Sequence, residues 1–168
     1  MNPYLFIFAY YIVWFSSIIL ASHNHPWLAL VVSISISSIQ LLFFSDLSQV
    51  PTWKKFFLCL TFIGFCVDSL LSFSSFIHFY ANPWQPYLAP PWILGLWINF
   101  SVLCIGLASI LNKLRSYLWL IALLIFPAAY LLDGIVFHVA VFSHGAYSTL
   151  LVGFIWMLLF PLVYRSTL

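Results

Sequence analysis

Residues 56–80 read FFLCLTFIGFCVDSLLSFSSFIHFY, with one charged side chain, Asp68, near the middle. Crossing the hydrocarbon of a bilayer takes about 20 helical residues at 1.5 Å each, so this stretch predicts a transmembrane helix. Five more segments of the same kind lie around it, at 3–21, 26–44, 92–111, 116–140 and 146–164. The separators carry breaker or interface chemistry: His23-Asn24-His25-Pro26, Ser45 to Lys55, the run Pro83/Pro86/Pro90/Pro91, Asn112 to Arg115, and Ser143-His144-Gly145. Connections this short make successive helices antiparallel neighbours and leave no room for a second domain. The expected fold is all-α: residues 1–168 as a single domain, a compact bundle of six transmembrane helices in a polytopic membrane protein.

The composition points the same way. Charged residues make up 5% of the 168-residue chain, against roughly 25% in soluble domains. The eight charges are Asp46, Lys54, Lys55, Asp68, Lys113, Arg115, Asp133 and Arg165. Five basic residues make no phosphate-tracking patch, so nucleic acid is excluded as a partner; the expected partners are the lipid bilayer and other membrane proteins. With six spans, all five Lys and Arg fall on one side, which by the positive-inside rule is the cytoplasm. Both chain ends then lie inside. The first helix lacks a basic n-region and a small-residue cleavage site, so it is expected to be retained.

Asp68 lies about 18 Å into the third span at 1.5 Å per residue, near the midplane. A central Asp costs about 2.5–3.5 kcal/mol on insertion scales. Thr61, Gly64, Ser72 and Ser75 share its helix face, and Gly95, Asn99, Gly106 and Ser109 form a comparable stripe on the fourth span. Such faces pack closely and exchange hydrogen bonds, which makes Asn99 the expected partner of Asp68. Two readings stand: a polar ligand anchor or relay, and a packing hydrogen-bond group.

Trp14, Trp97 and Trp156 fall mid-helix, where they either stack on a flat ligand or pack. Trp27, Trp84, Trp92, Trp53 and Trp119 are expected in the interfacial belts. Asp133 is expected at the outer boundary, solvated, with a kink at Pro127 six residues earlier. The histidines map to the outer face. His78, His138 and His144 with Asp133 are the candidate metal ligands, but no diagnostic spacing such as His-Glu-x-x-His is present, and the favoured reading has no metal. Cys59, Cys66 and Cys104 lie in apolar stretches without a metal-type pair. The six glycines form no phosphate loop, so no cofactor is implied.

Several stretches resemble a known family. They are Trp14 with Pro26-Trp27, Gly64-Phe65-Cys66-Val67-Asp68-Ser69-Leu70-Leu71, Pro91-Trp92-Ile93-Leu94-Gly95-Leu96-Trp97 with Phe100, and Pro127-Ala128-Ala129-Tyr130. The chain resembles a bacterial family of small inner-membrane proteins, the domain of unknown function numbered twenty-eight seventy-eight. The resemblance implies a multi-pass protein of the bacterial inner (cytoplasmic) membrane and marks Asp68, Trp97, Pro127 and Tyr130 as family-pattern positions. It carries no activity. The chain departs from the pattern at Gly106, where His is usual, and at Asp133 and His138, where small residues are.

The favoured role is non-enzymatic: binding or passing a small apolar or aromatic molecule, or assisting a membrane or lipid pathway, through a polar interior around Asp68. Its candidate ligand-binding residues are Asp68, Asn99, Trp97, Trp14, Trp156 and Tyr130. The alternatives are a membrane enzyme acting on lipid, with Asp68 or the outer His/Asp group as acid or base, and a membrane-embedded substrate-binding subunit of a transporter. The topology is directly testable. Reporters fused at Arg165 and in the loop at Gln85 should report opposite sides of the membrane, with Arg165 cytoplasmic; same-side signals would contradict the six-span arrangement.

Overall fold

The computed structural model describes residues 2–44, 47–50 and 52–168, so Asp46 lies outside the described residues. Helix α1 (Pro3–Ser22) opens on Asn2, whose side-chain oxygen accepts from the Tyr4 N–H at 3.1 Å, with Pro3 in the first turn. It closes with Asn24 in the left-handed region (φ 62°). There the His25 N–H reaches the Leu20 carbonyl at 2.8 Å and the Asn24 N–H reaches Ala21 at 2.9 Å, the paired bonds of a Schellman cap. Pro26 then starts α2 (Pro26–Ile39), which continues as a π turn over Gln40–Phe44.

Helix α3 (Trp53–Phe73) stops well short of the expected Tyr80. Ser75 takes φ 61°, and the N–H groups of Phe76 and Ser75 bond to the carbonyls of Leu71 and Ser72 at 2.9 and 3.0 Å, again closing the helix by a Schellman cap. The chain leaves it as strand β1 (Ile77–Phe79). This strand pairs antiparallel with β2 (Ala140–Phe142), Ile77 opposite Phe142 and Phe79 opposite Ala140. The expected helix 92–111 is two pieces, α4 (Pro91–Gly106) and the short α5 (Ala108–Lys113), divided at Leu107. The expected helix 116–140 is likewise shorter. Helix α6 (Leu118–Leu131) passes into a π turn at Leu132–Val136, and His138, at φ 55°, turns the chain toward β2. Helix α7 (Ala146–Thr167) completes the chain.

Among the described residues five helical segments are long and apolar enough to cross a membrane: Pro3–Ser22, Pro26–Phe43, Trp53–Phe73, Arg115–Val136 and Ala146–Thr167. The sixth, α4, is apolar but has 16 residues, about 24 Å at 1.5 Å each. Its position explains the shortfall: twelve of those residues are buried, so α4 meets protein on nearly every side and need not match lipid thickness. The outer surface is the reverse of a soluble one, with Tyr4, Phe8, Phe62, Leu124 and Leu158 each more than 60% exposed.

Helix α4 packs against α1, α2 and α3, whereas α6 packs chiefly on α7, and α7 in turn on α3. Gly95 permits the close approach of α2, since a Cβ there would stand 2.7 Å from the Ser33 hydroxyl of that helix. Gly153 of α7 plays the same part against α6. A Cβ on it would meet the Pro127 ring at 2.9 Å and the Leu123 carbonyl at 3.3 Å, the carbonyl that Pro127 leaves without its helical donor. Trp92 is a correction to the belt expectation. It is fully buried, its ring edge-on to Phe79 and its indole N–H donating to the Tyr80 carbonyl at 3.1 Å.

Replacing Gly95 by Leu should therefore prise α2 from α4 and cost about 1–3 kcal/mol or more by overpacking. In detergent-solubilised protein that corresponds to about 2–4 °C of Tm per kcal/mol. Ala128→Leu, on an exposed face of α6, should leave the melting temperature unchanged.

Candidate functional site

Gly64 and Asp68 sit one helical turn apart on α3. With only hydrogen at Gly64, the Trp97 indole of α4 lies directly on the backbone; a Cβ would fall 2.2 Å from its ring. That placement brings the Trp97 indole N–H to Asp68 Oδ2 at 2.6 Å. The Tyr130 hydroxyl of α6 donates to the other oxygen, Oδ1. Both oxygens of a carboxyl 1% exposed are thus taken, each by a donor on a different helix. Behind Trp97, Trp156 of α7 stacks on it with centroids 4.6 Å apart, and Phe126 of α6 stacks on Trp156 at 4.6 Å. Phe100, one turn along α4, stands edge-on to Trp97 at 5.6 Å.

Asp133 enters the same region from the π turn after α6. A π turn inserts an extra residue into the helical repeat and re-aims the side chains beyond it, a feature frequent at functional sites. Asp133 is 5% exposed, and its Oδ1 is buried with no hydrogen-bond partner among the described residues. Asp68 and Asp133 share a cavity of about 70 Å³. Its α1 wall is Tyr10 and Trp14, its α4 wall includes Trp97 and Phe100, and its α6 wall includes Phe126, Ala129 and Tyr130.

Four of the six candidate ligand-binding residues, Asp68, Trp97, Trp14 and Tyr130, therefore border one cavity. Trp156 backs Trp97 without lining it. Asn99 is elsewhere. Two residues from Trp97, it points to the opposite side of α4, where its amide donates to Ser37 at 2.9 Å and to Gln40 at 2.8 Å. The expected Asp68–Asn99 bond is replaced by those two pairings. The polar crossings between α3 and α4 are the Trp97–Asp68 bond and the hydroxyl pair Thr61–Ser101 at 3.0 Å. Asp133, expected in solvent, is buried.

The histidines do not join it. His78 is exposed on β1 with its ring nitrogens 3.4 Å from the Gln85 amide, His144 lies edge-on to Phe76, and His138 is exposed in the turn before β2. Among the described residues no three His, Cys, Asp or Glu form a group able to hold a metal. The residues that sequence reasoning passed over are Tyr10, Phe100 and Phe126. Their signal was spacing: Tyr10 and Trp14 are four apart, Trp97 and Phe100 three, and Phe126, Tyr130 and Asp133 four and three, so each set shares a helix face.

The family model described as "Protein of unknown function (DUF2878)" matches residues 4–162. The chain belongs to this family. The match spans every residue of the cluster, and three of the family-pattern positions, Asp68, Trp97 and Tyr130, meet at one carboxyl. Pro127, the fourth, packs on Gly153 one turn before Tyr130. Gly106 lies under the Phe6 ring, which a Cβ would meet at 2.2 Å, so any larger side chain there needs a different neighbour. Neither a curated protein nor a solved structure matches the chain.

Substitutions at Asp68 should separate according to what Trp97 and Tyr130 can do. An indole N–H only donates, whereas a phenol hydroxyl also accepts. Asn can therefore turn its oxygen to Trp97 and its amide to Tyr130, and Asp68→Asn should cost under about 1 kcal/mol. Asp68→Ala leaves two buried donors unpaired and a void, and should cost about 2–5 kcal/mol. Thermal unfolding in one detergent measures both.

Proposed function

We propose that this protein is a six-span membrane protein of the bacterial inner membrane, with both chain ends cytoplasmic, that binds a small molecule between α1, α4 and α6. The observation that carries this reading is the unpartnered Oδ1 of Asp133, 95% buried at the wall of an aromatic cavity. A buried polar atom without a partner costs about 1–3 kcal/mol, a cost that a bound hydrogen-bond donor removes. Concave, largely apolar sites with a few convergent polar groups are the usual form of small-molecule pockets.

Binding is preferred to catalysis because of how the polar groups are used. Asp68 has both oxygens engaged by packing donors, and among the described residues no Ser, Cys, Lys or His lines the cavity beside Asp133. The six-span count treats α4 as a crossing sheltered by its neighbours, and it keeps every Lys and Arg on one side.

Native mass spectrometry of protein purified in mild detergent tests the reading. Wild type should carry a small-molecule adduct. Ala129→Phe, which fills the cavity from α6, should lose that adduct while keeping its melting temperature within a few degrees. An adduct retained equally by both proteins, or absent from both, would overturn the proposal.

A further inference from the structure

The cavity beside Asp133 is one end of a longer groove. A second cavity, of about 340 Å³, shares Tyr10, Phe100, Ile125 and Phe126 with it. It runs toward the end of the bundle that holds both chain termini, between Ile7 of α1, Leu103 of α4, Leu107 just beyond that helix, and Ile121 of α6. The two limbs together extend from Ile93 to Leu107, about 21 Å along the helix axis at 1.5 Å per residue. The groove exists because α6 packs on α7 rather than closing against α1 and α4. Its rim is the exposed Tyr11 on one side and Ile125 on the other, 52% and 56% exposed, so it opens sideways, onto the face that a bilayer would cover.

The two limbs differ in chemistry. The limb at Asp133 holds two carboxyls and two phenol hydroxyls among aromatic rings; the other is walled by aliphatic and aromatic side chains, with the Tyr11 hydroxyl and the Cys104 thiol as its additional polar groups. Among the described residues no Lys, Arg or His lines either limb. An anionic head would meet carboxyls with no counter-charge, in a region where unpaired charge is most costly. A cationic head meets the free Asp133 oxygen, which accepts a hydrogen bond, and the faces of aromatic rings, which attract cations.

We infer that, on the reading just proposed, the ligand is a single-chain amphiphile with an ammonium head and no phosphate, entering from the bilayer between α1 and α6. Its head donates to Asp133 within the ring of Trp14, Trp97 and Tyr130, while its tail fills the apolar limb past Phe100 toward Leu107. Asp68 stays on its own two donors and shapes the head site without binding the ligand.

Hexadecylamine, hexadecanol, hexadecanoate and butylamine, titrated into wild-type protein in a neutral maltoside with tryptophan quenching as readout, test this. Hexadecylamine should bind saturably at one per chain, and each of the other three at least tenfold more weakly. Asp133→Asn should weaken hexadecylamine at least tenfold, to the level of the alcohol. Ile121→Trp, which obstructs the apolar limb far from the carboxyls, should weaken hexadecylamine while leaving butylamine unchanged, and it keeps the test decisive even if the Asp133 variant fails to fold. Alcohol or carboxylate binding as tightly as the amine would overturn the inference, as would unweakened amine binding by both variants. If that happens while the native adduct is still lost in Ala129→Phe, the ligand class is wrong and the binding site stands. If wild type carries no adduct either, both fall.

Discussion

One carboxyl organises the interior. In hydrocarbon there is no water to satisfy a stray donor or acceptor, so Asp68 is tolerable only where protein donors meet it. The structure supplies one from α4 and one from α6, and the two bonds hold three helices at a common level. The geometry depends on an absence, because the Trp97 ring reaches Asp68 only where Gly64 has no side chain to hold it off. Once Trp97 is fixed there, Trp156 and Phe126 complete a stacked column that carries the contact on to α7 and α6. A polar bond of modest strength thus fixes an aromatic core whose dispersion contacts are individually small and collectively large.

The remainder of the bundle follows from two kinds of helix contact. Around α4 the backbones come close. Gly95 lies against Ser33, Asn99 is shared with Ser37 and Gln40, and the hydroxyls of Ser17 and Ser33 meet at 3.3 Å. Between α6 and α7 the approach is equally close, at Gly153 and Pro127. Across the seam between these two groups α7 packs on α3 and β1 pairs with β2, but α6 reaches the α1–α4 group through side chains, the Tyr130–Asp68 bond and the aromatic column. Side chains bridge a gap that backbones do not close. The groove is what that wider seam leaves open.

How much of this was legible in the sequence depended on whether hydrophobicity or local backbone chemistry decided the point. The apolar segments and the packing of the Gly64/Asp68 face of α3 follow from periodicity and length. The helix ends did not. Ser75 and His138 take left-handed conformations that the sequence pattern associates with Gly or Asn; the first turns the end of a segment read as helix into strand β1, and the second ends another such segment just before β2. Asp133 was misplaced for a related reason: a π turn leaves no mark in the hydropathy pattern, yet it re-aims the side chain inward. The Asp68–Asn99 pairing failed because α4 is enclosed. A helix with neighbours on several sides can carry polar residues on more than one face, and its stripe of small residues does not say which neighbour each one meets.

Asp68 and Asp133 show why residue type alone could not separate structure from function here. Both are buried aspartates on helices, bordering the same cavity. What distinguishes them is how their hydrogen-bonding capacity is used. Asp68 sits in regular helix, with its partners fixed by close packing and nothing left to offer a guest. Asp133 sits where the helix is locally widened, and it keeps an oxygen that no protein group takes up. Regular backbone carries the carboxyl that holds the fold, and the irregular turn carries the one with an unpartnered oxygen. The same division makes the irregularity tolerable. A π turn at Asp68 would shift it out of register with Trp97 and Tyr130 and dismantle the column, whereas one at Asp133, near the end of α6, disturbs only the short ladder that follows.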